Sequence, residues 1–448
     1  APPQRLPSGP WAARVRSRAA AVAHRMLLPV TDARAAAERV CREERAAVLA
    51  SLLRRVRDFE AAEDALHDAF VSALATWRER GVPERPGAWL LTTATNRATD
   101  AARRQTLHAA ALTDLSQRSR AAEVDPNEAS DVEDDRLRLI FTCCHPALDL
   151  ESRVALTLQA VGGLTAAEIA RAMLVTEAAM VQRLVRVKRK IRDAGIPYEV
   201  PAPEARRERL DGVREVVYLI FNEGHQATAS DALHRVELAE EAIRLARLLR
   251  ELIPGDAECG GLLALLLVTD ARRGGRLGPD GELVPLDEQD RARWDGSRIR
   301  DGVAVLDEAM QLGRPGPYQI QAAISALHSQ APSWERTDWR QIAALYDALL
   351  RHDASPVVEL NRAVAISMAS GPEAGLAILA RLAAVPSFGG YQPFHAARAD
   401  LLRRAGRVAE SATAYDRAIE LSRNGAERRF LARRRDDLTG ASGRSTLE

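Results

Sequence analysis

Cysteine is scarce: four residues in 448 (Cys41, Cys143, Cys144 and Cys259), too few, and without C-x-x-C spacing, for a disulfide framework or a paired thiolate site. That excludes the stapled secreted domains and points to a reducing, cytoplasmic setting. Aromatics make up only 4% of the chain, a poor supply for sheets that rely on aromatic and β-branched pairs. Long apolar runs are missing too. The longest, near Leu262–Val268, falls far short of the roughly 18–20 residues that span a bilayer, so a soluble protein without a membrane segment is expected. Residues 1–31 contain no acidic residue and mix proline with arginine, a composition that buries too little apolar surface to order itself. Lysine occurs only at 188 and 190; the arginine that replaces it elsewhere suits bidentate phosphate and guanine contacts, and would equally follow from a GC-rich genome. There is no phosphate-cradling glycine loop, no nucleophile elbow and no carboxylate pair spaced beside a histidine. No catalytic residue, cofactor or metal site is therefore expected.

What remains is alanine, leucine, arginine and glutamate at helical spacing, which predicts an all-α chain. Its length implies two to four modules, and a formal charge of +1 hides local clusters that matter more than the sum. Residues 1–32 read as a disordered tail. A first helical domain spans 33–108, broken by Gly81-Val82-Pro83-Glu84-Arg85-Pro86-Gly87, after which a new helix begins near Ala88 and runs to about Leu107. An acidic, aperiodic linker occupies 109–133. A compact second domain covers 134–196, closed by Pro197, Pro201 and Pro203. A helical extension follows over 204–335, with a glycine-rich, charged stretch from Arg272 to Asp295 read as a long mobile loop. Over 336–440, Gly406, Ser411, Tyr415 and Ala418 stand at the turn-glycine, small, aromatic and alanine positions of a tetratricopeptide (TPR) repeat. Tyr346-Asp347 precedes Tyr415-Asp416 by 69 residues, close to two periods of about 34. With Pro356 and Gly371 at inter-helix turns, this predicts about three degenerate helical pairs.

The most informative segment runs from Leu164-Thr165-Ala166-Ala167-Glu168 to Arg192. Thr165 can cap a short helix, a tight turn spans about Met173 to Thr176, and a second helix begins near Glu177. That order describes a helix-turn-helix. The second helix is expected to bury Val181, Leu184, Val185 and Ile191 and to project Gln182, Arg183, Arg186, Lys188, Arg189, Lys190 and Arg192. A helix of this kind fits the major groove, where arginine and glutamine read base edges and the other cations bind phosphate. The bland alternative is a solvated basic face on an ordinary helix hairpin.

Upstream, Arg85-Pro86-x-Ala88-Trp89-Leu90 is followed by Asn96-Arg97-x-x-Asp100-x-x-Arg103-Arg104. This pattern resembles the promoter-melting region of extracytoplasmic-function (ECF) sigma factors of the sigma-70 family. The preceding Asp58-Phe59-x-x-Ala62-Glu63-Asp64-Ala65-Leu66-x-Asp68-x-Phe70 resembles their polymerase-binding helix, and both precede the helix-turn-helix in the family's order. The resemblance covers residues 35–195. The rest, including Phe221-Asn222-Glu223-Gly224-His225 and the terminal repeat, is similar to the ECF group with a TPR-like C-terminal extension.

The resemblance implies two small helical sigma domains, the second a helix-turn-helix, followed by a helical-repeat domain. It also implies a non-enzymatic subunit that directs core RNA polymerase to promoters. Asp58, Glu63, Asp64, Leu66, Asp68 and Phe70 would meet core polymerase at the largest-subunit clamp helices, with the flap as a further contact. Trp89, Asn96, Arg97, Asp100, Arg103 and Arg104 would engage the minus-10 element, Asp100 by orienting Arg97 or Arg103; Trp89 could equally be core. Thr176, Glu177, Met180, Gln182, Arg183, Arg186, Lys188 and Arg189 would engage the minus-35 element. The C-terminal domain would control activity by contact within the chain, or through a regulatory protein or peptide on the repeat surface. The rival readings are a conventional helix-turn-helix regulator with a TPR-like effector domain, and an enzyme built on residues 205–448. Cys143-Cys144-His145 is read as core packing rather than a zinc site, because its spacing does not match a chelating pair.

Overall fold

The computed structural model describes residues 44–112, 129–173, 175–225, 232–278, 284–422 and 425–442. The expected tail at 1–32 and the centre of the acidic linker lie outside them. Among the described residues there are eighteen α-helices and no strand, and no helix is long and apolar enough to cross a membrane. The chain divides into two compact units: one holds the residues up to Ile169 together with Ala178–Arg209, the other Ala170–Glu177 and everything from Leu210 onward.

In the first unit, residues 44–56 form α1 and lead into α2 (Phe59–Arg80) and α3 (Pro86–Leu112). Asp58 starts α2 as its N-cap, its carboxylate accepting from the Ala61 N–H at 2.8 Å. Gly81 ends it at φ +79°, a conformation that glycine adopts without strain. Proline then opens α3, where the missing N–H costs nothing. The helix reaches five residues beyond the expected end at Leu107, to Leu112. α4 (Ala129–Cys143), α5 (Leu150–Ala160), α6 (Ala166–Ala172) and α7 (Glu177–Asp193) follow. Leu49, Leu52, Leu66, Leu90, Leu139, Phe141 and Leu156 are sealed from water at its centre.

Two polar devices tie this unit together. Asp135 on α4 is fully buried and pairs with Arg138 at 2.6 Å and Arg54 at 3.3 Å. Burial pushes its carboxyl pKa up, against the pull of Arg138 and Arg54. The Tyr198 hydroxyl donates toward the Ala50 carbonyl at 2.8 Å and the Asp135 carbonyl at 3.0 Å. Cys143 and Cys144 are buried thiols, Cys144 lying 3.5 Å from Thr157 Oγ1, and burial raises the pKa of both.

In the second unit, α8 (Pro203–His225, from Leu210 onward), α9 (Ala232–Leu252), α10 (Ala257–Asp270), α11 (Gly296–Gln311) and α12 (Pro317–Gln330) form the first part. α10 is buried on nearly every side, from Cys259 to Val268. Its neighbours can come so close because glycine stands at the contacts. A Cβ on Gly261 would meet Gln319 at 2.6 Å, and one on Gly302 would meet Val268 at 2.6 Å. Glu258 caps α12 by accepting from the N–H groups of Tyr318 and Gln319.

α13 (Trp339–Leu350), α14 (Pro356–Ser370), α15 (Pro372–Leu382), α16 (Gln392–Arg404), α17 (Val408–Leu421) and α18 (Gly425–Ser442) complete the second unit, each packed on the next. Gly371 at φ +95° and Gly406 at φ +73° make the expected turns. Ser411 is fully buried and donates to the Ala399 carbonyl at 2.8 Å, while Tyr415 and Ala418 fill the groove beside it. These are the roles that the repeat pattern requires of the four positions.

The stretch from Arg272 to Asp295 departs from the expected loop. Outside 279–283, two 3₁₀ turns (Arg273–Gly275 and Arg291–Arg293) and a set of arginine–carbonyl bonds hold it in place. Arginine side chains supply the order that the absence of an apolar rhythm seemed to deny.

Candidate nucleic-acid interface

At 100° per residue, Trp89, Asn96, Arg97, Asp100, Arg103 and Arg104 fall within one face of α3 roughly 120° wide. Leu90 and Ala94, along one border of that face, are fully buried and set its orientation. Asn96, Arg97, Asp100, Arg103 and Arg104 are all exposed. Trp89 is half-buried, packed edge-on against Trp77 with centroids 5.5 Å apart, so one ring edge is core and the remainder borders the polar face. Among the described residues the Asp100 carboxylate makes no hydrogen bond or ion pair with Arg97 or Arg103. Arg97 donates to Ser72 Oγ at 3.3 Å, and Arg104 to the Asp100 backbone carbonyl at 3.3 Å.

α2 presents a neighbouring face. Asp64 and Asp68 are exposed, Phe70 is half-buried, and Leu66 is fully buried. The expectation that Leu66 anchors a partner is thereby corrected, since it lies on the core side with Ala62, Ala65 and Ala69. Asp58 serves as the α2 cap. Two apolar residues not singled out in the sequence, Val71 and Leu74, are 54% and 49% exposed. They sit one and two turns beyond His67 and Asp68 on the same face, and their signal was present as apolar positions out of step with the buried stripe.

In the helix-turn-helix, α6 begins with a reciprocal cap. The Glu168 N–H donates to Thr165 Oγ1 at 3.2 Å, while the Thr165 N–H donates to Glu168 Oε2 at 2.7 Å. The turn closes with the Val175 N–H on the Ala170 carbonyl at 3.0 Å; Leu174 lies outside the described residues. α7 then buries Met180, Leu184, Val187 and Ile191. This corrects the expected face, because Val181 and Val185 are each 44% exposed and Met180, expected at DNA, is in the core. Valines at 181, 185 and 187 create two overlapping apolar stripes, and the one that includes Met180 is the one that packs.

The polar residues of α7 divide by face. Gln182, Arg186 and Arg189 are exposed, with Thr176 and Glu177 at the exposed start. Arg183 and Lys188 stand at the two edges of the buried stripe, each against a carboxylate. Arg183 meets Glu151 at 2.6 Å, and Lys188 meets Glu63, which Arg45 also approaches at 3.5 Å. Arg192 approaches Glu60 at 3.5 Å and Asp58 at 3.9 Å. Two residues expected at different partners, Lys188 at DNA and Glu63 at polymerase, are thus paired with each other. A recess of about 600 Å³ beside this contact is lined by Arg54, Arg57, Asp58, Arg138, Arg192 and Tyr198, among others.

Residues 41–107 match the family model described as Sigma-70 region 2, and residues 138–191 match that described as Sigma-70, region 4. Residues 209–310 match a family of unknown function, DUF6596. The chain is 43% identical over 395 residues to Uncharacterized protein R00370 of Rhizobium meliloti (strain 1021), a match covering 87% of this chain and 93% of that one. Among solved structures, the crystal structure of yeast Tom70 aligns with a TM-score of 0.33 at 12% identity, over 87% of this chain and 82% of that chain.

Proposed function

Because the chain belongs to the sigma-70 family, in its extracytoplasmic-function type, we propose that it acts in the cytoplasm as a dissociable subunit of RNA polymerase, binding the core enzyme, opening promoters and carrying no catalysis of its own. A role in promoter recognition follows from the two sigma regions themselves. The observation that carries the finer reading is the open stripe on α3 beside the acidic and apolar face of α2. Holding a base outside the stack costs a few kcal/mol. An exposed indole edge and arginine planes can offset that cost by stacking, at about 1–3 kcal/mol per base. Arg97, Arg103 and Arg104 grip phosphates, and Asn96 bonds a base edge. On α2, Asp64 and Asp68 supply charge for a basic helical hairpin, while Phe70, Val71 and Leu74 supply apolar area.

On α7, Gln182, Arg186 and Arg189 read or grip the minus-35 duplex, with Thr176 and Glu177 at the helix start. Val181 and Val185 lie where they can meet thymine methyls. The same reading assigns the Lys188–Glu63 pair to a closed arrangement that polymerase must open, since Glu63 is withheld from any partner while the pair stands. The helical repeats control activity, by contact within the chain or by taking a regulatory protein or peptide.

The test is promoter-dependent transcription by purified core polymerase with and without the full chain, alongside co-purification of core. Specific initiation with core binding is the expected outcome. Duplex binding with no polymerase association would instead make the protein a conventional helix-turn-helix regulator. Control by the repeats is tested by truncating the chain after Arg209: transcription is expected to change, and an unchanged rate would remove that part of the reading.

A further inference from the structure

In the second unit the charged stretch between α10 and α11 is fastened at its two feet. At one foot Arg276 donates to the His225 carbonyl at the end of α8, at 2.7 Å, and its own carbonyl accepts from the Val284 N–H at 2.9 Å. At the other the Asp295 N–H donates to the Ala271 carbonyl at 2.9 Å, and Arg291 donates to the carbonyls of His328 and Ala331 at 2.7 and 2.9 Å. Between the feet, residues 284–289 form a tight turn. The Glu288 N–H closes it on the Pro285 carbonyl at 2.9 Å, and Gln289 Nε2 donates to the Val284 carbonyl at 3.0 Å. The turn sets Asp287 and Glu288 side by side against one guanidinium, 146 residues further along the chain. That group is Arg434 of α18, whose Nη2 donates to Glu288 Oε1 at 2.6 Å and lies 3.6 Å from Asp287 Oδ2.

The two sides of this contact are held unequally. Arg434 keeps only 18% of its side chain exposed, and its guanidinium stands 5.4 Å from the Phe430 ring centroid on the same helix. The cation is therefore positioned by α18 itself. Asp287 and Glu288 are 37% and 46% exposed, so water already reaches the carboxylates. The feet are bonded through backbone carbonyls and do not depend on where the apex sits. An ion pair at such an apex is weak by itself, and it persists because the prebuilt turn offers its carboxylates at high effective concentration. A pair of this kind is one that a second acidic segment can take over.

We propose that Arg434, with Phe430 beside it, is a recognition point for an acidic peptide segment, that the Asp287–Glu288 turn occupies it within the chain, and that a partner protein presenting two adjacent carboxylates displaces the turn. Two carboxylates are required because the one guanidinium already faces two, where a lone carboxylate would offer a single contact. The proposal names the contact within the chain and the kind of partner through which the repeats act, and rests on the reading of the repeats as a control module. Binding needs no polymerase and is measured by itself.

The probe is a fluorescently labelled peptide with the sequence of residues 284–289, titrated into the full-length protein at low ionic strength and followed by anisotropy. The double variant Asp287→Asn, Glu288→Gln is expected to bind it about three- to fivefold more tightly than the unaltered chain, which must first release its own turn. Adding Arg434→Gln to the double variant should weaken binding about tenfold. Arg434→Lys, which keeps the charge and loses the fork, should fall between the two. A peptide carrying amides in place of the two carboxylates should not bind. Equal affinity in the double variant and the unaltered chain would overturn the seated turn. Absence of binding to the double variant, or binding untouched by Arg434→Gln, would overturn the acceptor. Either failure would leave the polymerase reading and the truncation after Arg209 to be decided by their own measurements.

Discussion

Lys188 in the N-terminal unit and Arg272 in the C-terminal unit are both half-buried cations, yet their charged neighbours differ. Lys188 meets Glu63, and the arginines around Asp135 share one carboxylate. Arg272 lies within the field of two further guanidinium groups, those of Arg276 and Arg291. In the first case charge joins helices of one chain through pairs that a partner of the right sign can exchange. In the second, like charges gather, and their mutual field pushes a guanidinium pKa down. A count of 63 basic and 62 acidic residues conceals this, because neutrality on average says nothing about which charges meet.

Four measurements would break or sharpen the contrast. The largest effect is expected from Asp135→Ala, which leaves the half-buried Arg54 and Arg138 facing each other at the edge of the core; chemical denaturation should register a loss of about 3–5 kcal/mol. Arg272→Met in the other unit should change stability in the opposite direction, and destabilisation by both would erase the distinction.

Acidification should act next, and on the C-terminal unit. The unfolded chain takes up protons on His225 and His328 near pH 6.5, the folded unit only near pH 3 and 4. Between those values the unfolded state binds more protons, so this contribution is full above pH 6.5 and is lost as the pH falls. A loss of about 1–2 kcal/mol per histidine between pH 7.5 and 5 is expected, and His328→Gln should flatten the slope. A third and smaller effect falls on binding: Arg186→Ala should weaken minus-35 duplex affinity by about 1–3 kcal/mol without altering stability. Equal affinity in variant and parent would remove α7 from the DNA. The smallest is Lys188→Ala, for which core polymerase should bind severalfold more tightly, by about 1 kcal/mol, with duplex affinity unchanged. Weaker duplex binding with unaltered core affinity would return Lys188 to the DNA and dissolve the closed arrangement.

Much of this was legible in the residues. The stripe from Asn96 to Arg104 and the Thr165–Glu168 cap depend on positions within one helix, and backbone periodicity determines those. Gly406, Ser411, Tyr415 and Ala418 were legible for a similar reason, since a close helix crossing needs a small residue and a turn at fixed offsets. The face of α7 was misplaced because Met180 and Val181 are both apolar, and only the helices packed against it decide between two stripes 100° apart. The pairing of Lys188 with Glu63 joins residues 125 apart in sequence and leaves no local trace. The order of the Arg272–Asp295 stretch was hidden because arginine there bonds backbone carbonyls, and every residue carries one.

α10 has a further consequence, for the time scale on which the C-terminal unit opens. Encased from Cys259 to Val268, with Gly261 and Gly302 holding its neighbours at closest approach, the helix cannot be wetted by fraying or by the swing of one neighbour. Its amides should therefore exchange with deuterium only when the whole unit unfolds. The exchange rate of Leu262–Leu266 is thus a direct clock for global opening, against which any ligand or partner of this unit can be timed.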